Sequence, residues 1–121
     1  TLEEISKFSY LTDSEFLPGL FVVERNADGK IVGMVASQIE HAYNLEHGRK
    51  RGSSYSLMVI PSERGKGIGR ALMESSLRWL AEKGMDFAYL GVNHQNHDAM
   101  HLYKSLGYEL IGIWQGWERE L

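Results

Sequence analysis

Cysteine is missing altogether, and proline occurs only twice. Without cysteine the chain can form no disulfide, no thiolate zinc site and no cysteine nucleophile. That economy fits a reducing cytosol, so a cytoplasmic setting is expected. Positive charge is also in short supply. With 13 Lys and Arg against 16 Asp and Glu, the formal net charge is −3. Bulk attraction to nucleic acid or to anionic lipid is therefore not expected. No apolar run approaches the roughly 18 residues of a membrane span. No charged-then-apolar leader is visible, and a start at Thr1 rather than Met fits a piece of a longer chain. Repeats and low-complexity tracts are absent too.

What is present suits one domain, residues 1–121, with 43% hydrophobic and 24% charged residues. A domain of this size buries about two thirds of the surface its unfolded chain exposes, enough for a core without staples. Leu2, Ile5, Phe8 and Leu11 recur three apart, which predicts a short amphipathic helix over residues 2–11. "FVVER" reads as a strand. Asp28-Gly29 in "NADGK" is a hairpin signal, and residues 31–43 read as the return strand. Residues 44–52 read as a polar loop and 54–60 as a third strand ended by Pro61.

The periodicity of Ile68, Leu72 and Trp79 predicts a helix over 68–83, capped by Gly84. Residues 86–92 read as a central strand and 97–106 as a second helix closed by Gly107. Residues 108–114 and 117–121 complete the strands. A β-meander followed by strand–helix–strand–helix–strand is an α/β (α+β) arrangement with one parallel crossover.

"SERGKGIG", residues 62–69, places three glycines in five residues between a strand and a helix. The first turn of a helix carries unpaired N–H groups and the positive end of the dipole, and glycine lets a ligand approach the backbone. One reading is a phosphate cradle, the other an ordinary strand-to-helix turn. The spacing is neither G-x-x-x-x-G-K-S/T nor G-x-G-x-x-G, because Gly65, Gly67 and Gly69 alternate.

Two stretches carry a resemblance. "VIPSERGKGIGRAL" is similar to the signature of the GNAT acetyltransferase family: a strand ending V-x-P, then Q/R-x-x-G-x-G/A, then a helix. Arg64, Gly67 and Gly69 fill the variable motif. "NHDAMHLYKSLGY" matches the family's N-x-x-A-x-x-L-Y-x-x-x-G-F/Y, with Asn96, Ala99, Leu102, Tyr103, Gly107 and Tyr108 in place. The resemblance runs from Phe21 to the end of the chain.

It implies a mixed, mostly antiparallel sheet with helices on both faces, and transfer of an acetyl group from acetyl-CoA to an amine of a small molecule or a protein. The amides of Gly65, Lys66, Gly67, Ile68, Gly69 and Arg70, with Arg64, would hold the pyrophosphate. The backbone of Leu57, Met58 and Val59 would bind the pantetheine arm, and an amide there would polarise the thioester carbonyl. The strand over 86–92 would splay from its neighbour to admit the coenzyme, Asn96 would contact it, and Tyr103 would be the acid for the leaving thiolate.

The sequence departs from the family in its base. Gly91 stands where members acting on protein N-termini carry Glu, and residues 53–60 contain no carboxylate. Glu40, His41 and His94 remain as candidates, beside deprotonation through water. A competing reading is a coenzyme-binding regulatory module without catalysis. A module for another nucleotide is disfavoured by the second motif. His94, His97 and His101 are read as polar surface rather than as metal ligands, so no metal is expected. "HGRKRG" is read as a solvated basic loop, or one that steers an acidic group. Trp114 and Trp117 belong to an acceptor pocket, the core or a dimer face. Finally, the family's first strand is not visible before Phe21. It is expected to lie in a preceding segment or to come from a partner chain, as in a homodimer.

Overall fold

The computed structural model describes residues 8–12 as backbone, and residues 18–92, 95–111 and 116–121 in full. The chain runs β1 (Phe8–Thr12), β2 (Phe21–Arg25), β3 (Ile31–Ile39), α1 (His41–His47), β4 (Arg51–Val59), a 3-10 turn (Pro61–Glu63) and α2 (Ile68–Glu82). There follow β5 (Phe87–Gly91), α3 (His97–Ser105), β6 (Glu109–Ile111) and β7 (Gly116–Glu120). The strands described form one seven-stranded sheet in the order β1-β2-β3-β4-β5-β7-β6. Every pair is antiparallel except β4–β5, which α2 joins as the expected parallel crossover.

The hairpin forms where Asp28-Gly29 announces it: Gly29 N–H donates to the Arg25 carbonyl at 2.7 Å and Gly29 takes φ +67°. α2 buries Ile68, Leu72, Met73, Leu77 and Leu80 against the sheet. Each of these side chains contributes about 2 kcal/mol on removal from water. Gly52 on β4 admits this packing, since a Cβ there would stand 2.2 Å from Leu80. Both helix C-termini end as predicted, with Gly84 and Gly107 left-handed at φ +83° and +91°.

Alternation along β4 separates two layers. Gly52 and Ser54 face α2, whereas Arg51 faces Tyr43 of α1. Helices thus lie on both faces of the sheet. No helix among the described residues is long and apolar enough to cross a membrane.

Three expectations need correction. Residues 8–12 are a strand, not part of a helix, and they pair with β2 over five residues. The three-residue apolar spacing fits a helix, but "FSYLT" is rich in β-formers and the open edge of β2 offers it backbone partners. This chain therefore supplies its own edge strand before Phe21, and residues 1–7 lie outside the described residues. β3 stops at Ile39, and residues 41–47 of the supposed strand and loop are α1. Asn44 decides this locally: its amide donates to the Arg51 carbonyl at 2.9 Å and accepts from the Arg51 N–H at 2.8 Å. Left-handed Gly48 then ends the helix. β4 starts at Arg51, three residues earlier than the sequence suggests.

Candidate functional site

β4 and β5 pair over only three positions, Arg51 with Phe87, Gly52 with Ala88 and Ser53 with Tyr89. β4 then continues to Val59 without β5, so its backbone edge is open on that side. β4 also carries a bulge. Met34 pairs with Met58 and Ala36 with Tyr55, which leaves one extra residue on β4, and Ser56 takes φ +56°. The extra residue shifts the alternation, so residues 57 and 59 join Ser54 on the face toward α2. The parted strands bound a cleft of about 250 Å³, lined by Ser54, Ser56 and Leu57 of β4, Leu90 and Gly91 of β5, Met73 of α2 and Asn96 and Tyr103 of the α3 side.

At the mouth of this cleft lies the glycine loop. Pro61 opens the 3-10 turn, and the Arg64 guanidinium donates back to the Val59 carbonyl at 3.1 Å, which ties the loop to the end of β4. Gly65 and Gly67 take φ +78° and +85°, and a Cβ at either would meet nothing within 4 Å. Gly67 occupies the N-cap of α2, and no side chain bonds the first turn. The opening N–H groups and the positive dipole end are thus left to a ligand. A second cavity of about 710 Å³ spreads over this surface, lined by the predicted Leu57, Met58, Val59, Arg64, Gly65, Gly67, Ile68, Gly69, Arg70 and Asn96.

Lys66 is the exception among the predicted loop residues. Its ammonium turns to Glu63 at 2.8 Å and does not line the cavity. Glu63 also lines this cavity, and sequence reasoning passed over it. It is buried, it also meets Arg25 at 3.5 Å, and its carboxyl is held below the ordinary carboxylate value chiefly by the Lys66 hydrogen bond. The available signal was a carboxylate three residues before a lysine inside the loop. Arg70 bonds the Ser105 hydroxyl and so joins α2 to α3.

Asn96 stands at the start of α3 and serves both cavities. Its side-chain oxygen accepts from the Ala99 N–H at 3.2 Å, capping the helix, while its residue lines the two spaces. Two turns further in, Tyr103 is 8% exposed and walls the cleft. Burial pushes its phenol above the ordinary value of 10.0, so it stays protonated at neutral pH.

Of the candidate bases, the two among the described residues, Glu40 and His41, do not line the cleft. Glu40 is bound to Arg51 at 2.8 and 3.2 Å, beside the closed end of β4. His41 is exposed at the start of α1, and His94 lies outside the described residues. His97 and His101 are exposed on α3, and no group of three metal-ligating side chains occurs among the described residues.

The basic stretch over 47–52 is not a solvated loop. Arg51 is buried at 7% exposure, and Arg49 forms a fork on Glu118 at 2.6 and 2.9 Å. Both guanidiniums find carboxylates that are distant in sequence, which a linear reading cannot see. Trp117 is buried in the core, and Trp114 lies outside the described residues.

The model of the acetyltransferase (GNAT) family matches residues 2–108. An uncharacterised N-acetyltransferase of Methanocaldococcus jannaschii is 36% identical over 101 residues, covering 84% of this chain and 43% of that protein. A mycothiol acetyltransferase of Saccharomonospora viridis is 35% identical over 94 residues, covering 77% of this chain and 30% of its own length. The chain thus spans less than half the length of these curated relatives. Among solved structures, Arabidopsis thaliana Naa50 in complex with the bisubstrate analogue CoA-Ac-MVNAL has a TM-score of 0.68 at 25% identity, covering 84% of this chain and 72% of that one.

Proposed function

Because the chain belongs to the acetyltransferase (GNAT) family, we propose that residues 1–121 act as one domain that transfers an acetyl group from acetyl-CoA to a primary amine. The observation that carries this reading is the joining of two features at one end of β4. An uncapped, glycine-opened helix start meets a cleft between parted strands, and the cleft ends at a buried phenol. An anion receptor beside a narrow slot is what a pyrophosphate followed by a thin thioester arm requires. Naa50, a structural relative, was solved in complex with a CoA bisubstrate analogue, which supports the same donor here.

In this reading the amides of residues 65–70 hold the pyrophosphate, with Arg64 and Arg70 beside it. The open edge of β4 at Leu57, Met58 and Val59 bonds the pantetheine amides, and Asn96 lies alongside. A backbone N–H at the bulge polarises the thioester carbonyl as negative charge grows on its oxygen. A neutral amine attacks, and Tyr103 gives its proton to the sulfur as the C–S bond breaks. Tyr103 suits this role because it is protonated and walls the cleft. The acceptor is a small-molecule amine or the amine of a peptide or protein, and the reaction is placed in the cytoplasm.

The test has two arms. Acetyl-CoA at one hundred times its dissociation constant should stabilise the fold by about 2.7 kcal/mol and raise Tm. A well-folded sample whose Tm ignores millimolar acetyl-CoA sinks the proposal. Tyr103→Phe should lower kcat by about a hundredfold or more with little change in coenzyme affinity. An unchanged kcat removes Tyr103 from the acid role and leaves the coenzyme site standing.

A further inference from the structure

The glycine loop turns one of its cations away from the cavity it lines. Lys66 sits between Gly65 and Gly67, both on the cavity wall, yet its ammonium is bound to Glu63 Oε2 at 2.8 Å. Glu63 lines that cavity itself and is buried. A buried carboxylate is an unexpected group beside an anion receptor. A pyrophosphate would meet a like charge there, while the nearest ammonium is occupied in neutralising that charge. Asp98 lines the same cavity, but it is exposed, so water screens it.

A second cation stands behind Glu63. Arg25 ends β2, does not line the cavity, and brings its Nη2 to 3.5 Å from Glu63 Oε1, longer than an ordinary hydrogen bond. Its Nε is buried and has no hydrogen-bond partner among the described residues. Asp28 Oδ1 lies 3.7 Å from that Nε, but it already accepts the Lys30 N–H at 3.1 Å. Nε and Nη2 are adjacent donors on one edge of the guanidinium, a pair that can fork a carboxylate. The fork needs both oxygens of Glu63, and Lys66 holds one of them. Closing the present gap to a charge-assisted bond takes a shift of about 0.7 Å. Glu63 thus has one cation bound and another in reserve.

We propose that Lys66 exchanges Glu63 for the pyrophosphate of the coenzyme, and that Arg25 then closes on Glu63. The proposal rests on the coenzyme reading of this cavity. Lys66 starts close to its new partner, because its ammonium already touches a group on the cavity wall. Arg64 is tied to the Val59 carbonyl and Arg70 to the Ser105 hydroxyl, both neutral acceptors. Lys66 is therefore the loop cation that a phosphate must win from a carboxylate. Before binding, Glu63 pairs with Lys66. After binding, Lys66 pairs with phosphate and Arg25 with Glu63. The carboxylate never stands unpaired beside the phosphates, a state that would weaken the complex. Lys66 is a coenzyme-binding residue in this scheme, and Arg25 is a positioning residue, since it acts only through Glu63.

The experiment is calorimetric titration of the full chain with acetyl-CoA and with dephospho-CoA, which keeps the pyrophosphate but lacks the 3′-phosphate. Glu63→Gln, a change of nearly equal shape, should tighten acetyl-CoA binding about threefold, because Lys66 is then free from the start. Lys66→Met should weaken binding of both ligands by the same factor, about tenfold. Arg25→Met should weaken it about fivefold without touching the ligand, and adding Glu63→Gln to that variant should restore the original affinity. Weaker binding in Glu63→Gln overturns the exchange, because the carboxylate then assists the ligand rather than competing for Lys66. Unchanged affinity in Lys66→Met overturns it as well, and a loss confined to acetyl-CoA overturns the pyrophosphate assignment. An Arg25→Met loss that Glu63→Gln does not restore overturns the reserve role. If the unmodified chain binds neither ligand, the coenzyme reading itself falls, whereas an unmodified chain that binds while Glu63→Gln binds more weakly strikes the exchange alone.

Discussion

At its N-terminal end β4 is enclosed on both sides, and at its C-terminal end it is open on one. Around Arg51 the strand pairs with both β3 and β5, and the guanidinium lies between the rings of Tyr43 and Tyr89 at 3.5 and 4.2 Å. Its donors go to Glu40 at 2.8 and 3.2 Å and to Glu118 at 3.3 Å, and Glu118 is forked by Arg49. Further along the strand β5 has left, Ser56 is left-handed, and Met58 is 48% exposed. The strand then leads into a loop where a Cβ on Gly65 or Gly67 would meet nothing within 4 Å. The contrast teaches how a small sheet keeps a gap of fixed width. The parted half of β4 keeps β3 alone as its partner, so the closed half is where β4 and β5 are held together.

The strongest way to break this comparison is Arg51→Met. Methionine removes the charge that compensates two nearly buried carboxylates and cannot fork to either. The expected loss is about 3 kcal/mol, toward the low end for a buried pair because Glu40 and Glu118 keep side-chain exposures of 18% and 13%. Urea unfolding should show a lower midpoint with an unchanged slope. If the closed half sets the width of the cleft, acetyl-CoA affinity should also fall, although Arg51 is far from the glycine loop along β4. Full affinity in the folded variant would show that the two halves are independent.

The two halves were not equally legible in the sequence. The open half announces itself locally. Gly65, Gly67 and Gly69 precede an apolar helical stripe, Asn96 precedes another, and Tyr103 falls at a motif position, so those residues could be placed together beforehand. The closed half is written in pairings between distant residues: Arg49 with Glu118 is 69 positions apart and Arg51 with Glu118 is 67. Seen linearly, these are a basic knot and an acidic C-terminal strand. The same blindness hid β1, whose five residues form a strand because β2 has an edge to fill. It also hid half of the setting of Glu63: Lys66 is three residues away, but Arg25 is brought near only by folding.

A smaller effect sharpens the open half. Gly67 takes φ +85° with no atom within 4 Å of where a Cβ would stand, so Gly67→Ala meets no clash and suffers only from its backbone angle. That conformation costs an L-residue about 1 kcal/mol. Stability should drop by that amount in urea, about a third of the Arg51→Met effect. Acetyl-CoA affinity should fall by a larger share, about tenfold, because the methyl group stands where the coenzyme phosphates would approach. Calorimetric titration gives the affinity directly. An affinity that follows stability and nothing more would mean that this glycine shapes the loop without facing the ligand.

The smallest effect comes from acid, and its response to ligand distinguishes the halves once more. The Arg49 hydrogen bonds, with burial opposing and Arg51 assisting, hold the Glu118 carboxyl below its ordinary value of 4.5. A carboxylate depressed in the folded state contributes stability that is fully present above the unfolded value and is lost as pH falls through the folded one. Stability should therefore decline as pH drops below 4.5, and Glu118→Gln should flatten that decline. The change should be about 1 kcal/mol or less, because Glu118 keeps partial access to water. Glu63 at the loop is depressed in the same direction by Lys66. Glu63→Gln should flatten the same limb, but with acetyl-CoA bound its effect should differ from that in the free protein, while the Glu118→Gln effect should not. Unfolding curves across about pH 3–6, with and without acetyl-CoA, would separate the carboxylate that braces the sheet from the one that braces the ligand loop. Equal ligand sensitivity at both positions would dissolve the distinction between the two ends of β4.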